Sequence, residues 1–147
     1  MMKLKTDTWV VVANGNKYLL LQNFGWPDHL DLRVMKHDEI DVPQTQDLAR
    51  DRAGREQAKH RPGSSGHKQV DAHEARETAF AKALVAKLNE RAQQKRFKDI
   101  VIIADPETLG EMRPTYSGQL KELLVGEIPK DLTNLTIPDI EAVVNAA

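Results

Sequence analysis

The chain has 147 residues, 40% of them apolar and 29% charged, with a formal net charge of -1. That length holds one domain with a sizeable core and is short for two, so residues 1–147 are expected to form a single α/β domain. The near-neutral balance removes any global electrostatic demand for nucleic acid or an anionic membrane, and the absence of cysteine removes disulfides, thiolate nucleophiles and Cys-rich zinc sites. A reducing cytoplasm fits this composition.

The first elements are strands. Thr8 to Ala13 is β-branched and aromatic, Lys17 to Gln22 is a second apolar run, and Asn14-Gly15-Asn16 between them has the composition of a tight turn. These residues predict an N-terminal β-hairpin. A loop containing Gly25, Pro27 and Asp28 follows, then a more exposed third strand over Leu30 to Met35. Trp9 reads as a packing residue, whereas Trp26, in the loop, is open to packing or to ligand stacking. No apolar run reaches the roughly 7–15 residues of a secretory core or the about 20 of a membrane span.

From Lys36 to about Val70 the apolar signal fades and Pro43, Gly54, Pro62, Gly63 and Gly66 break up regular structure. A flexible basic loop is expected over 45–70, because long weakly structured inserts in compact domains tend to be functional or disordered. Between Arg50 and Lys68, Arg50, Arg52, Arg55, Lys59, Arg61 and Lys68 stand against only Asp51 and Glu56. A solvated loop and an arm that contacts RNA phosphates both satisfy this pattern.

Asp71 to about Lys95 is the strongest helix signal. Phe80, Leu84 and Leu88 recur at i, i+4, i+8, with Ala75, Ala79 and Ala83 as an adjacent small-residue stripe. Asp71 is the expected N-cap, with Glu74 and Glu77 near the positive end of the macrodipole and Arg91, Lys95, Arg96 and Lys98 complementing the other end. Ile100 to Ala104 is apolar at every position, which predicts a central strand covered on both faces. At Asp105-Pro106 the strand hands over to a helix that either Asp105 or Thr108 caps. A second helical piece is expected over Leu120 to Leu124, an edge strand near Val125 to Pro129, and a last helix capped by Thr136 with Pro138 early in it.

No catalytic motif stands out. Trp9 to Ala13 carries no acid of the kind a two-metal nuclease places on its first strand. Ser64, Ser65 and Ser117 form no nucleophile elbow, and Gly63-Ser64-Ser65-Gly66 lacks the lysine of a phosphate-binding loop. His67, Asp71, His73 and Glu77 make the one metal-like spacing, and His73-Glu77 is equally an ordinary i, i+4 helix pair. No metal and no cofactor is assigned.

Three blocks carry a resemblance over nearly the whole length: Trp9-Val10-Val11-Val12-Ala13-Asn14-Gly15; Phe80-Ala81-Lys82-Ala83-Leu84; and Ile100 to Pro106 followed by Leu109-Gly110-Glu111-Met112-Arg113, with Lys130-Asp131-Leu132-Thr133 behind it. In these the chain resembles bacterial proteins described as required for attachment to host cells. That family is similar in plan to the middle domain of archaeal and eukaryotic peptide-chain release factors. The resemblance implies an RNase H-like mixed sheet with a mobile loop before the long helix. In release factors that loop bears Gly-Gly-Gln. Here the place reads Arg61-Pro62-Gly63-Ser64-Ser65-Gly66-His67-Lys68-Gln69, so peptidyl-tRNA hydrolysis is not carried over.

Three readings follow. A non-catalytic binding module would contact a ribosome or tRNA through Arg50, Arg52, Arg55, Lys59, Arg61 and Lys68. A regulatory protein would act through protein partners, with host attachment an indirect result. A metal-dependent hydrolase or nuclease would use the His67–His73 region.

Overall fold

The structure is a computed structural model that describes residues 2–35 and 66–147, with the backbone alone for 66–71. In chain order the elements are β1 (Trp9–Ala13), β2 (Tyr18–Asn23), β3 (Leu32–Val34), α1 (Gly66–Gln93), β4 (Ile100–Ala104), α2 (Pro106–Met112), a 3-10 turn (Arg113–Thr115), α3 (Gly118–Leu123), β5 (Leu124–Ile128) and α4 (Ile137–Ala146). The five strands form one sheet in the order β3-β2-β1-β4-β5. β1 pairs antiparallel with β2 and parallel with β4, and β4 pairs parallel with β5. The expected α/β class, mixed sheet, N-terminal hairpin and long helix are all present.

β1 and β4 are buried at every residue because both sheet faces are covered. Trp9 opposes Ile100 and Val11 opposes Ile102, so alternate residues of the two strands point the same way. One set, with Val11 and Ile102, packs under Phe80, Leu84 and Leu88 of α1, Leu109 and Met112 of α2, and Leu120 of α3. The other, with Val10, Val12, Val101 and Ile103, packs under Leu4, Leu132 and the α4 residues Ile140 and Val144. Among the described residues no helix is long and apolar enough to cross a membrane.

Two details differ from the sequence reading. α1 begins at Gly66, so Asp71 lies inside the helix and is not its cap, and Glu74 and Glu77 sit well past the first turn. Nothing between Gly66 and Asp71 obstructs a helical backbone. The second buried stripe of α1 is Ala81, Val85 and Ala92, whereas Ala75 is exposed and Ala79 and Ala83 are half-buried. Either stripe flanks the Phe80-Leu84-Leu88 row equally well in sequence, and the sheet selects the rotation.

The caps are local and well formed. Asp105, not Thr108, caps α2: its Oδ2 accepts the Thr108 backbone N–H at 3.1 Å. Ser117 and Thr136 cap α3 and α4 through their hydroxyls. At the hairpin, Asn14 Oδ1 accepts from the backbone N–H of Asn16 and Lys17, the Asx-type turn chemistry that the composition signalled.

Candidate functional site

Open α/β sheets bind ligands outside the carboxyl ends of their parallel strands. Here that edge is formed by Asn14 after β1, Asp105 after β4 and the segment following β5. The Asn14 amide donates to Asp131 Oδ2 at 3.2 Å and to Thr133 Oγ1 at 3.1 Å, and Lys17 Nζ donates to Asn134 Oδ1 at 2.6 Å. These bonds fasten the hairpin tip to the stretch that contains Lys130-Asp131-Leu132-Thr133. Burial works to raise the Asp131 carboxyl, but the Thr133 hydroxyl and N–H, the Asn14 amide and the Lys17 charge outweigh it and hold the group below the usual carboxylate range. Gly15 presses against α1 so closely that a Cβ there would lie 2.7 Å from Glu77 Cδ.

Beside this edge, a crevice of about 140 Å³ is lined by Glu74, Glu77, Thr78, Glu107, Thr108 and Glu111. Four carboxylates around so small a space repel phosphate, so the crevice is no anion site. His73 Nε2 meets Glu77 Oε1 at 2.6 Å, the ordinary i, i+4 pair. The side chains of His67 and Asp71 lie outside the described atoms, and among the described residues no group of three or more His, Asp or Glu is arranged to hold a metal ion.

The predicted RNA-contacting residues Arg50, Arg52, Arg55, Lys59 and Arg61 lie outside the described residues. Lys68 falls in the first turn of α1, where the backbone alone is described.

The opposite, amino-terminal edge of the sheet carries a feature that sequence reading missed. A cleft of about 710 Å³ opens there, rimmed by Lys5, Lys95, Arg96 and Lys98, with Trp9 and Phe97 at its base. The two rings lie 4.6 Å apart and are buried against each other. α1 ends in a Schellman turn, in which Arg96 N–H donates to Arg91 O and Lys95 N–H to Ala92 O, with Lys95 at φ 58° in the left-handed position that glycine usually fills. Lys95 to Lys98 read locally as dipole complementation; the β1–β4 pairing brings Lys5 to the same edge, and the cleft joins them.

The sequence profile of bacterial archaeo-eukaryotic release factor family 12 matches residues 7–144. The chain belongs to this family. It is also similar to uncharacterized protein RP470 of Rickettsia prowazekii, with 29% identity over 92 residues, which is 61% of each chain. The family-12 match runs from the turn before β1 into α4, so it takes in both edges of the sheet just described.

Proposed function

We propose that this family-12 chain is a non-catalytic, translation-associated binding module that meets ribosomal RNA or tRNA through Arg50, Arg52, Arg55, Lys59, Arg61 and Lys68. The observation that carries this reading is the release-factor family match combined with the sequence of the segment leading into α1. From Arg50 to Lys68 the chain holds six Arg and Lys against two acids, and it lacks Gly-Gly-Gln. Cations that neutralise phosphates release counterions, so the contact is salt-sensitive and indifferent to base sequence. In this reading residues 1–147 act as one domain, and the basic loop expected over 45–70 gives way to α1 at Gly66, which leaves Lys68 on the helix's first turn. A role in host attachment then follows indirectly, through what the protein does in translation. The carboxyl-edge crevice, acidic and without a metal-holding set among the described residues, lends no support to a hydrolase.

The test is co-sedimentation with ribosomes of the protein's own host at low and high salt, beside a variant with Arg52, Arg55, Lys59 and Arg61 replaced by Ala. Wild-type protein sediments at low salt and is released at high salt, and the variant stays in the supernatant. Equal sedimentation of the two removes the basic segment from the function. Partners captured after nuclease treatment and at high salt would move the reading to regulation through protein contacts.

A further inference from the structure

We infer that the amino-terminal edge of the sheet is a second contact surface for single-stranded RNA, in which the cleft holds phosphates and an exposed aromatic stack beside it holds a base. It deepens the translation reading by naming what the folded part of the chain offers to RNA, and its physical argument does not depend on the basic segment. The cleft is a concave, cationic channel. Lys5, Lys95, Arg96 and Lys98 are all exposed, and of the two carboxylates on the rim, Asp7 accepts a hydrogen bond from the Gln22 amide at 2.9 Å.

The stack adjoins the cleft. Thr6, which lines the cleft, donates its hydroxyl to Gly25 O at 2.6 Å. The next residue, Trp26, forms a two-residue bridge with His29, and their rings stack at 4.7 Å and 28°. Trp26 is nonetheless 57% exposed, so the indole face away from His29 is open. Gly25 is required by this turn, since a Cβ would lie 1.8 Å from His29 O. Phe24, 51% exposed, stands beside it with the Arg33 guanidinium 4.8 Å over its ring. Open aromatic faces alongside a cationic groove are what unpaired nucleic acid needs: phosphates follow the groove and a splayed base stacks.

The geometry also discriminates among ligands. Trp9 and Phe97 are buried against each other, so no base can stack inside the cleft and the open stacking face is the one at Trp26. A strand spans both. A duplex keeps its bases paired and unavailable to Trp26, and a flat bilayer cannot enter a concavity.

The experiment is fluorescence anisotropy of the full chain with a fluorescein-labelled oligouridine across a KCl series. The background is the Arg52/Arg55/Lys59/Arg61→Ala variant, which removes four of the six cations of the basic segment. Binding persists in that background. Adding Lys5→Ala and Lys98→Ala weakens it at least tenfold and makes the slope of log K against log salt shallower by about 1.4, at ~0.7 per phosphate on single strands. Trp26→Ala weakens binding roughly 5- to 150-fold, the effect of one lost base stack, with the salt slope unchanged. No binding in the background variant, unaltered binding in both further variants, equally strong competition by duplex RNA, or retention on anionic vesicles in place of RNA would each overturn the inference. The ribosome result stands apart: a background variant that has lost the ribosome yet binds oligouridine separates the two surfaces.

Discussion

Asn23 ties together the two halves of the amino-terminal edge, and its truncation gives a sharp stability prediction. The side chain is fully buried at the end of β2. Its Nδ2 donates to Leu4 O at 3.1 Å and Lys5 O at 3.2 Å, and its Oδ1 accepts from Gly25 N–H at 2.9 Å and Asp31 N–H at 3.0 Å. One amide thus satisfies the segment that carries Lys5 and both ends of the loop that carries Trp26. Asn23→Ala removes all four bonds; Leu4 O and the Gly25 and Asp31 N–H groups lose this partner, while Lys5 O keeps the Thr8 N–H at 3.2 Å. At about 1 kcal/mol per neutral hydrogen bond the loss approaches about 4 kcal/mol, and water reaching the two partly exposed partners reduces it to roughly 2–4 kcal/mol. Urea unfolding followed by circular dichroism reads this as a lower midpoint at unchanged m value. Gln22→Ala is the control. That neighbouring amide makes an exposed bond to Asp7, and its removal costs roughly 0.5 kcal/mol or less. A loss below about 1 kcal/mol for Asn23→Ala, or one equal to the control, would refute the claim that the buried amide holds the edge together.

Three further outcomes are expected. Lys95→Gly removes left-handed strain at the end of α1, adding up to about 1 kcal/mol and raising Tm by roughly 2–4 °C in a scanning calorimeter, while oligouridine affinity falls because a rim cation is gone. Tyr116 donates its hydroxyl to Glu127 Oε2 at 2.7 Å; burial and then that carboxylate push the phenol above its ordinary value, against a smaller opposing effect of Arg113. A raised folded pKa means the contribution is fully present below about pH 10, the unfolded value, and is lost as pH rises beyond it, so thermal melts from pH 8 to 11 decline less for Tyr116→Phe than for wild type. Asp105→Ala deletes the α2 cap and costs about 1 kcal/mol in urea unfolding, whereas Asp105→Asn, which keeps the accepting oxygen, costs little.

Much of the fold was legible because its signals are local. β1 and β4 are apolar at every position and rich in β-branched residues, the pattern of a strand covered on both faces. Asn14-Gly15-Asn16 specifies its turn through the Asn14 side chain, and Thr136 with Pro138 specifies the start of α4. The start of α1 was misplaced because Asp71 is a good cap in isolation, while nothing upstream to Gly66 forbids helix. The buried small-residue stripe is Ala81-Val85-Ala92 and not Ala75-Ala79-Ala83, because a helical repeat fixes spacing and leaves rotational phase to the surface it packs on.

The same division runs through the functional surfaces. The sequence by itself determined the α/β class, the central strands, the hairpin, the density of cations before α1 and the absence of Gly-Gly-Gln, since each depends on residues close together in the chain. Tertiary structure alone decided that Lys5 shares a cleft with Lys95 and Lys98, and that the Trp26 loop stands beside it. Parallel pairing of Trp9 with Ile100, and antiparallel pairing of Trp9 with Gln22, bring the start of β1, the start of β4 and the end of β2 to one edge. Charge spacing along the chain carries no trace of that meeting, because strand register is set by how the whole sheet buries its two faces.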